Sequence, residues 1–124
     1  MTPDLRDLAR DVVAIPGWKW LPGMLVNVAG LTLRARRADD VLPWLTTAGE
    51  VRAYPDLTDP ATCGVLLDLL GPDGPAAGWD VNYDDEGRCA VSSYSAGVTG
   101  VGRTLGEACC RVAVAMGRWP GRQP

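Results

Sequence analysis

Residues 78–119, GWDVNYDDEGRCAVSSYSAGVTGVGRTLGEACCRVAVAMGRW, decide the fold. Trp79, Val81 and Tyr83 alternate onto one face of a strand, Asp84 to Gly87 form a turn, and Arg88 to Ser95 returns, so the segment opens as a hairpin. Gly97 to Gly102 then reads as a glycine-rich loop leading to Thr104, whose hydroxyl caps a helix while Glu107 completes a capping box. Leu105, Ala108, Cys109, Val112, Met116 and Trp119 recur at helical spacing and give that helix, over Thr104 to Arg118, an apolar stripe.

Working outward, Asp59-Pro60 starts another helix, with Asp59 as cap, Pro60 at the first position, and Cys63, Leu66, Leu67 and Leu70 on one face. Gly71-Pro72 ends it. At the N-terminus Thr2-Pro3-Asp4 carries the same start signals, and Leu5, Leu8, Ala9, Val12 and Val13 follow at helical spacing until Ile15-Pro16-Gly17 stops the run. Between these helices Met24 to Ala29 reads as a strand, and Leu31 to Arg36 as a second with strict alternation, its apolar face being Leu31, Leu33 and Ala35. Arg37 to Gly49 is a loop containing Trp44, and Glu50 to Tyr54 is a candidate third strand. The order α-β-β-(β)-α-β-β-α specifies an α+β layered sandwich, a mostly antiparallel sheet covered by helices. Residues 1–119 form a single domain, with a C-terminal tail at 120–124.

Composition excludes several function classes. The chain has no histidine, which removes the commonest general base and the commonest zinc ligand. Its four cysteines contain no C-x-x-C pair, and Cys109 and Cys110 are adjacent on a helix and point apart, so reduced thiols in the core are expected, with no metal and no other cofactor. A net charge of −3 gives no bulk attraction for a nucleic-acid polymer. No apolar run reaches membrane-spanning length, and the acidic MTPDLRDLARD start lacks a signal-like apolar core, so a cytoplasmic protein is expected.

Several clusters remain as candidate binding elements. Gly97 to Arg103 ends at a helix N-terminus, where unpaired amides and the helix dipole favour an anion beside Arg103 and Thr104. It lacks the Gly-Lys-Ser/Thr of a P-loop, and a flexible connection is the plain alternative. Thr32, Arg34 and Arg36 share one strand face, suited either to a phosphate or carboxylate or to pairing with Asp39, Asp40 or Glu50. Trp18, Lys19 and Trp20 can stack on a base or lid the edge of a core. Asp80 to Glu86 is not a calcium loop, since Asp85 stands where glycine is needed and Val91 where the bidentate glutamate belongs. Ser93, Ser95 and the thiols have no histidine to activate them, so no catalytic residue is assigned.

The Gly78–Trp119 pattern, especially Gly102-Arg103-Thr104-Leu105-Gly106-Glu107-Ala108-Cys109-Cys110-Arg111, resembles the C-terminal half of small phage and prophage proteins of the phage ABA-sandwich type. The segments Pro16 to Met24 and Pro55 to Thr62 resemble other such proteins. These are packing and turn residues, so the resemblance implies origin and fold, and brings no catalytic residue with it. With the arginine and tryptophan clusters, it leads to the expectation of a non-enzymatic phage accessory protein in the host cytoplasm. Such a protein would antagonise host defence by binding a small nucleotide signal without cleaving it, through Arg34, Arg36, Arg103, Thr104, Trp18 and Trp20. The alternative from another class is an inhibitor that docks on a bacterial defence protein. A homo-oligomer is expected, with Trp18, Trp20 and Trp44 at its interface.

Overall fold

In a computed structural model of the chain, residues 1–28, 31–36, 53–71, 79–93 and 97–120 are described. The C-terminal segment folds as a three-stranded antiparallel sheet with a helix laid across it: β4 (Trp79–Tyr83), β5 (Cys89–Ser93) and β6 (Val98–Gly102), then α3 (Leu105–Met116). The glycine-rich stretch expected to be a loop is therefore the strand β6, paired to β5 with Ser93 opposite Val98 and Cys89 opposite Gly102. The reason lies in what the glycines face. A side-chain carbon on Gly100 would fall 2.3 Å from the carbonyl oxygen of Ala108, and one on Gly102 would fall 2.6 Å from Cβ of Glu107. On this strand the alternating positions that meet the helix carry hydrogen atoms, so the two backbones approach closely where a larger residue would hold them apart.

α3 begins as expected. Thr104 Oγ1 accepts the Glu107 amide at 3.0 Å, and the Glu107 carboxylate reaches back to accept the Arg103 amide at 3.3 Å. Ala108, Cys109, Cys110, Val112 and Ala113 are buried, and the helix packs on β6, on β5 and on α2 (Pro60–Leu70). α2 buries Thr62, Cys63, Leu66, Leu69 and Leu70, while Leu67 from the expected stripe is only half-buried. α1 (Pro3–Val13) buries Leu5, Leu8, Ala9 and Val12 and packs on α3.

The second sheet joins β1 (Leu25–Val28), β2 (Leu31–Arg34) and β3 (Tyr54–Pro55) in the order β2-β1-β3, all antiparallel. β1 starts one residue inside its expected span, whose last residue, Ala29, lies outside the described residues, and β2 stops two residues short of its expected end at Arg36. The third strand is the pair Tyr54–Pro55, and residues 50–52 of its expected span lie outside the described residues. Arg10 of α1 stacks on the Tyr54 ring at 5.0 Å. The inner face of β1 and β2 carries Val26, Val28 and Leu33, with Ala35 just beyond. Leu31 has the same parity, opposite Val28, but sits at the far end of the ladder and is 65% exposed. The protein is thus α+β, with three helices and two small antiparallel three-stranded sheets among the described residues, where a single sheet of four or five strands was expected.

Candidate functional site

The turn at Asp56 to Asp59 is flanked by two of the four polar candidates, Arg34 and Thr104, because two helices start beside it. Asp59 caps α2, its carboxylate accepting the Thr62 amide at 3.0 Å and the Thr62 hydroxyl at 2.8 Å. Thr62 Oγ1 in turn accepts the Leu25 amide at 2.8 Å, which ties β1 to the helix. Arg34 donates to both oxygens of Asp59, at 2.6 and 3.1 Å, and to the Gly23 carbonyl at 3.0 Å. Hydrogen bonding from Arg34 holds the Asp59 carboxyl down at about 2, so it is ionised at neutral pH. The guanidinium fork read from the sequence as an anion receptor already holds an anion, one supplied by the chain itself.

The α3 N-terminus on the other side of this turn is also occupied. Thr104 donates its hydroxyl to the Leu57 carbonyl at 2.8 Å while accepting from Glu107. The Cys63 thiol donates to the same carbonyl at 3.2 Å and accepts the Gly106 amide at 3.2 Å. The amides of Gly106 and Glu107, the donors a bound phosphate would use, thus end on Cys63 and Thr104. Arg103 stands exposed beside them, and Arg36 is exposed in a bend two residues past the end of β2.

The tryptophans occupy a different place. Trp18 meets Trp20 edge to face with centroids 5.0 Å apart, and Trp119 at 5.5 Å. Trp119 is buried, with its amide on the Pro16 carbonyl at 2.8 Å and its indole N–H on the Val12 carbonyl at 3.0 Å. Gly17, at a left-handed φ of 94°, lies against the Trp119 main chain where a Cβ would be 2.3 Å from the carbonyl oxygen. The cluster clamps the end of the chain onto the exit of α1. Trp20 is buried in it, and Trp18 is half-buried with its indole nitrogen enclosed and without a hydrogen-bond partner. Trp44 lies outside the described residues.

The six candidate residues therefore divide. Arg34 and Thr104 flank one turn in structural roles, Trp18 and Trp20 belong to the C-terminal clamp, and Arg36 and Arg103 project from separate elements. The sequence showed Asp59 as a cap, but gave no signal that Arg34, 25 residues earlier, would close on it.

All four thiols are buried and free of disulfides. Burial pushes the Cys63, Cys89, Cys109 and Cys110 thiols upward, holding them in the protonated, unreactive form. Ser93 is buried. Asp84 spends its carboxylate inside the hairpin turn, accepting the Glu86 and Arg88 amides at 2.9 and 2.8 Å and the Arg88 Nε at 2.8 Å. Among the described residues no group of three or more Cys, Asp or Glu is arranged to hold a metal ion, and no helix is long and apolar enough to cross a membrane. Comparison with protein-family models, curated proteins and solved structures returns no match to this chain.

Proposed function

We propose that this chain is a non-catalytic binding protein whose target is another protein; in the phage setting that its sequence resembles, the target is a component of bacterial defence. The observation that carries the reading is a contrast in how side chains are used. The groups best suited to hold a small anion, Arg34 and the Gly106 and Glu107 amides at the α3 N-terminus, are engaged within the fold. Large apolar side chains stand in water instead: Leu31 at 65% exposure on β2 and Val101 at 52% on β6. An apolar side chain in water gains free energy by docking against a protein surface and offers no hydrogen bond or charge to a nucleotide.

Sequestration of a nucleotide is the second reading. It draws on the Trp18 indole N–H, unpartnered beside Lys19 and Trp20, which is enclosed and would reach a ligand carbonyl or phosphate only if the tryptophan cluster opened. One experiment separates the two. The protein is purified from host lysate, heat-released small molecules are identified by mass spectrometry, and captured proteins are compared between wild type and a Leu31→Glu, Val101→Glu variant. The docking reading expects no stoichiometric nucleotide and a protein band lost in the variant. An intact nucleotide released at near one per chain, with capture unaffected by the variant, would replace it with the sequestration reading.

A further inference from the structure

We propose that β4 is the contact strand of a two-fold homodimer, pairing antiparallel with β4 of a second copy about Val81. Among the described residues β4 pairs with β5 alone, so its other side is an edge of the sheet that these residues form. Which main-chain groups reach that edge follows from the hairpin. The Asp84 amide donates to the Arg88 carbonyl at 2.9 Å, so Asp84 turns its main chain toward β5. Alternation then turns Asn82 and Asp80 the same way and directs the N–H and C=O of Trp79, Val81 and Tyr83 outward. The Ser93 carbonyl, opposite Trp79, agrees with this phase: it points away from β4 and accepts the Gly97 amide at 3.0 Å.

A two-fold pairing that uses these outward groups has three candidate registers. Centred on Asp80 it sets the two Asp80 carboxylates face to face, and centred on Asn82 it sets Asp80 against Asp84 of the partner subunit. Both place like charges directly opposite, which opposes pairing. Centred on Val81 the strand is its own complement. WDVNY reads aromatic, polar, valine, polar, aromatic in both directions. Trp79 then faces Tyr83 of the partner subunit, Val81 faces Val81 of the partner subunit, and each Asp80 carboxylate faces an Asn82 amide that can donate to it. This register closes about six main-chain hydrogen bonds and joins two three-stranded sheets into one of six strands.

The side chains on the strand favour the same occupant. α3 lies chiefly over β6 and β5, leaving the β4 margin of that face with Trp79 and Val81 half-buried and Tyr83 63% exposed. A second copy places an aromatic ring against each exposed Tyr83, whereas an unrelated strand would have to supply both the apolar ends and the donor opposite Asp80.

Sedimentation velocity of the full chain over a dilution series up to roughly 0.5 mM tests this. Wild type should move from monomer to dimer with concentration. Asn82→Asp brings two carboxylates together at both ends of the pairing and should weaken the dimer about tenfold, whereas Asn82→Lys should tighten it by a similar factor that shrinks with salt. Position 82 is exposed, so circular dichroism and urea midpoints should stay near wild type. Val81→Pro removes an outward N–H and should abolish the dimer. A wild-type monomer throughout the series, or a dimer whose strength ignores both Asn82 substitutions, overturns the proposal.

Discussion

Replacing Gly100 by alanine tests the packing on which the C-terminal half depends. The residue sits mid-strand in β6 and does not have a left-handed φ, so its backbone admits an L residue and the cost comes from space alone. The added methyl would lie 2.3 Å from the Ala108 carbonyl oxygen, 2.8 Å from the Val112 nitrogen and 2.9 Å from Val112 Cγ2. Two of these atoms are helix backbone and cannot rotate away, so α3 and β6 must separate by about 1 Å to restore ordinary contact. Overpacking of this kind costs about 1–3 kcal/mol, offset by about 0.4–1 kcal/mol from the stiffer unfolded chain. A net loss of about 1–2 kcal/mol is expected, which lowers the urea midpoint by about 1 M. Gly64 supplies the opposite sign. It is exposed within α2, and a methyl group there would meet nothing within 4 Å, so Gly64→Ala should raise stability by about 0.5–1 kcal/mol. Both variants are read by urea titration followed by circular dichroism. If Gly100→Ala matched or exceeded wild type while Gly64→Ala behaved as expected, the close approach of β6 and α3 would be wrong.

Two further outcomes follow from the ionisable groups. Asp59→Ala should cost about 1–2 kcal/mol through loss of the α2 cap; because the folded carboxyl lies lowered at about 2 against an ordinary 3.8, the stability it confers is present above the unfolded value and lost as pH falls through the folded one. The difference in urea midpoint between wild type and variant should therefore hold near pH 6 and narrow from about pH 4 toward pH 2, and a gap constant with pH would remove the ion-pair account. Ellman's reagent should leave the native protein unlabelled and modify all four cysteines on unfolding, since each thiol is buried and held protonated; rapid labelling of the native state would contradict their placement in the core.

Local signals were legible where one residue governs one backbone feature. Thr2, Asp59 and Thr104 each announced a helix start, and each side chain accepts the amide three residues on. The hairpin was equally plain, because Asp84 to Gly87 is a turn by composition and the flanking residues alternate. β6 was not, since glycine is depleted in strands and Val98-Thr99-Gly100-Val101-Gly102 looks like a loop until the helix it must admit is known. The missing side chains are the complement of α3, and complementarity between elements is not written in either element alone.

The candidate site failed to assemble for a related reason. Arg36 falls in a bend two residues beyond the strand's end, whereas Arg34 lies on the exposed side of its strand, which parity alone could show. What the guanidinium meets depends on tertiary distance, and the nearest strong acceptor was Asp59, a residue already accounted for as a cap. A cap aspartate at a helix start carries full charge and concentrates acceptors where the dipole also favours them, so it competes with any external anion for a nearby arginine. Such a cation is recruited into the fold unless some second feature keeps it away from the cap. In this chain β1 carries Leu25 onto Thr62, which brings the adjoining β2 arginine within reach of the α2 start. The same hydrogen bonds that place the sheet against the helix therefore take Arg34 out of the set available to a ligand, and Asp59→Ala would be the substitution to return it.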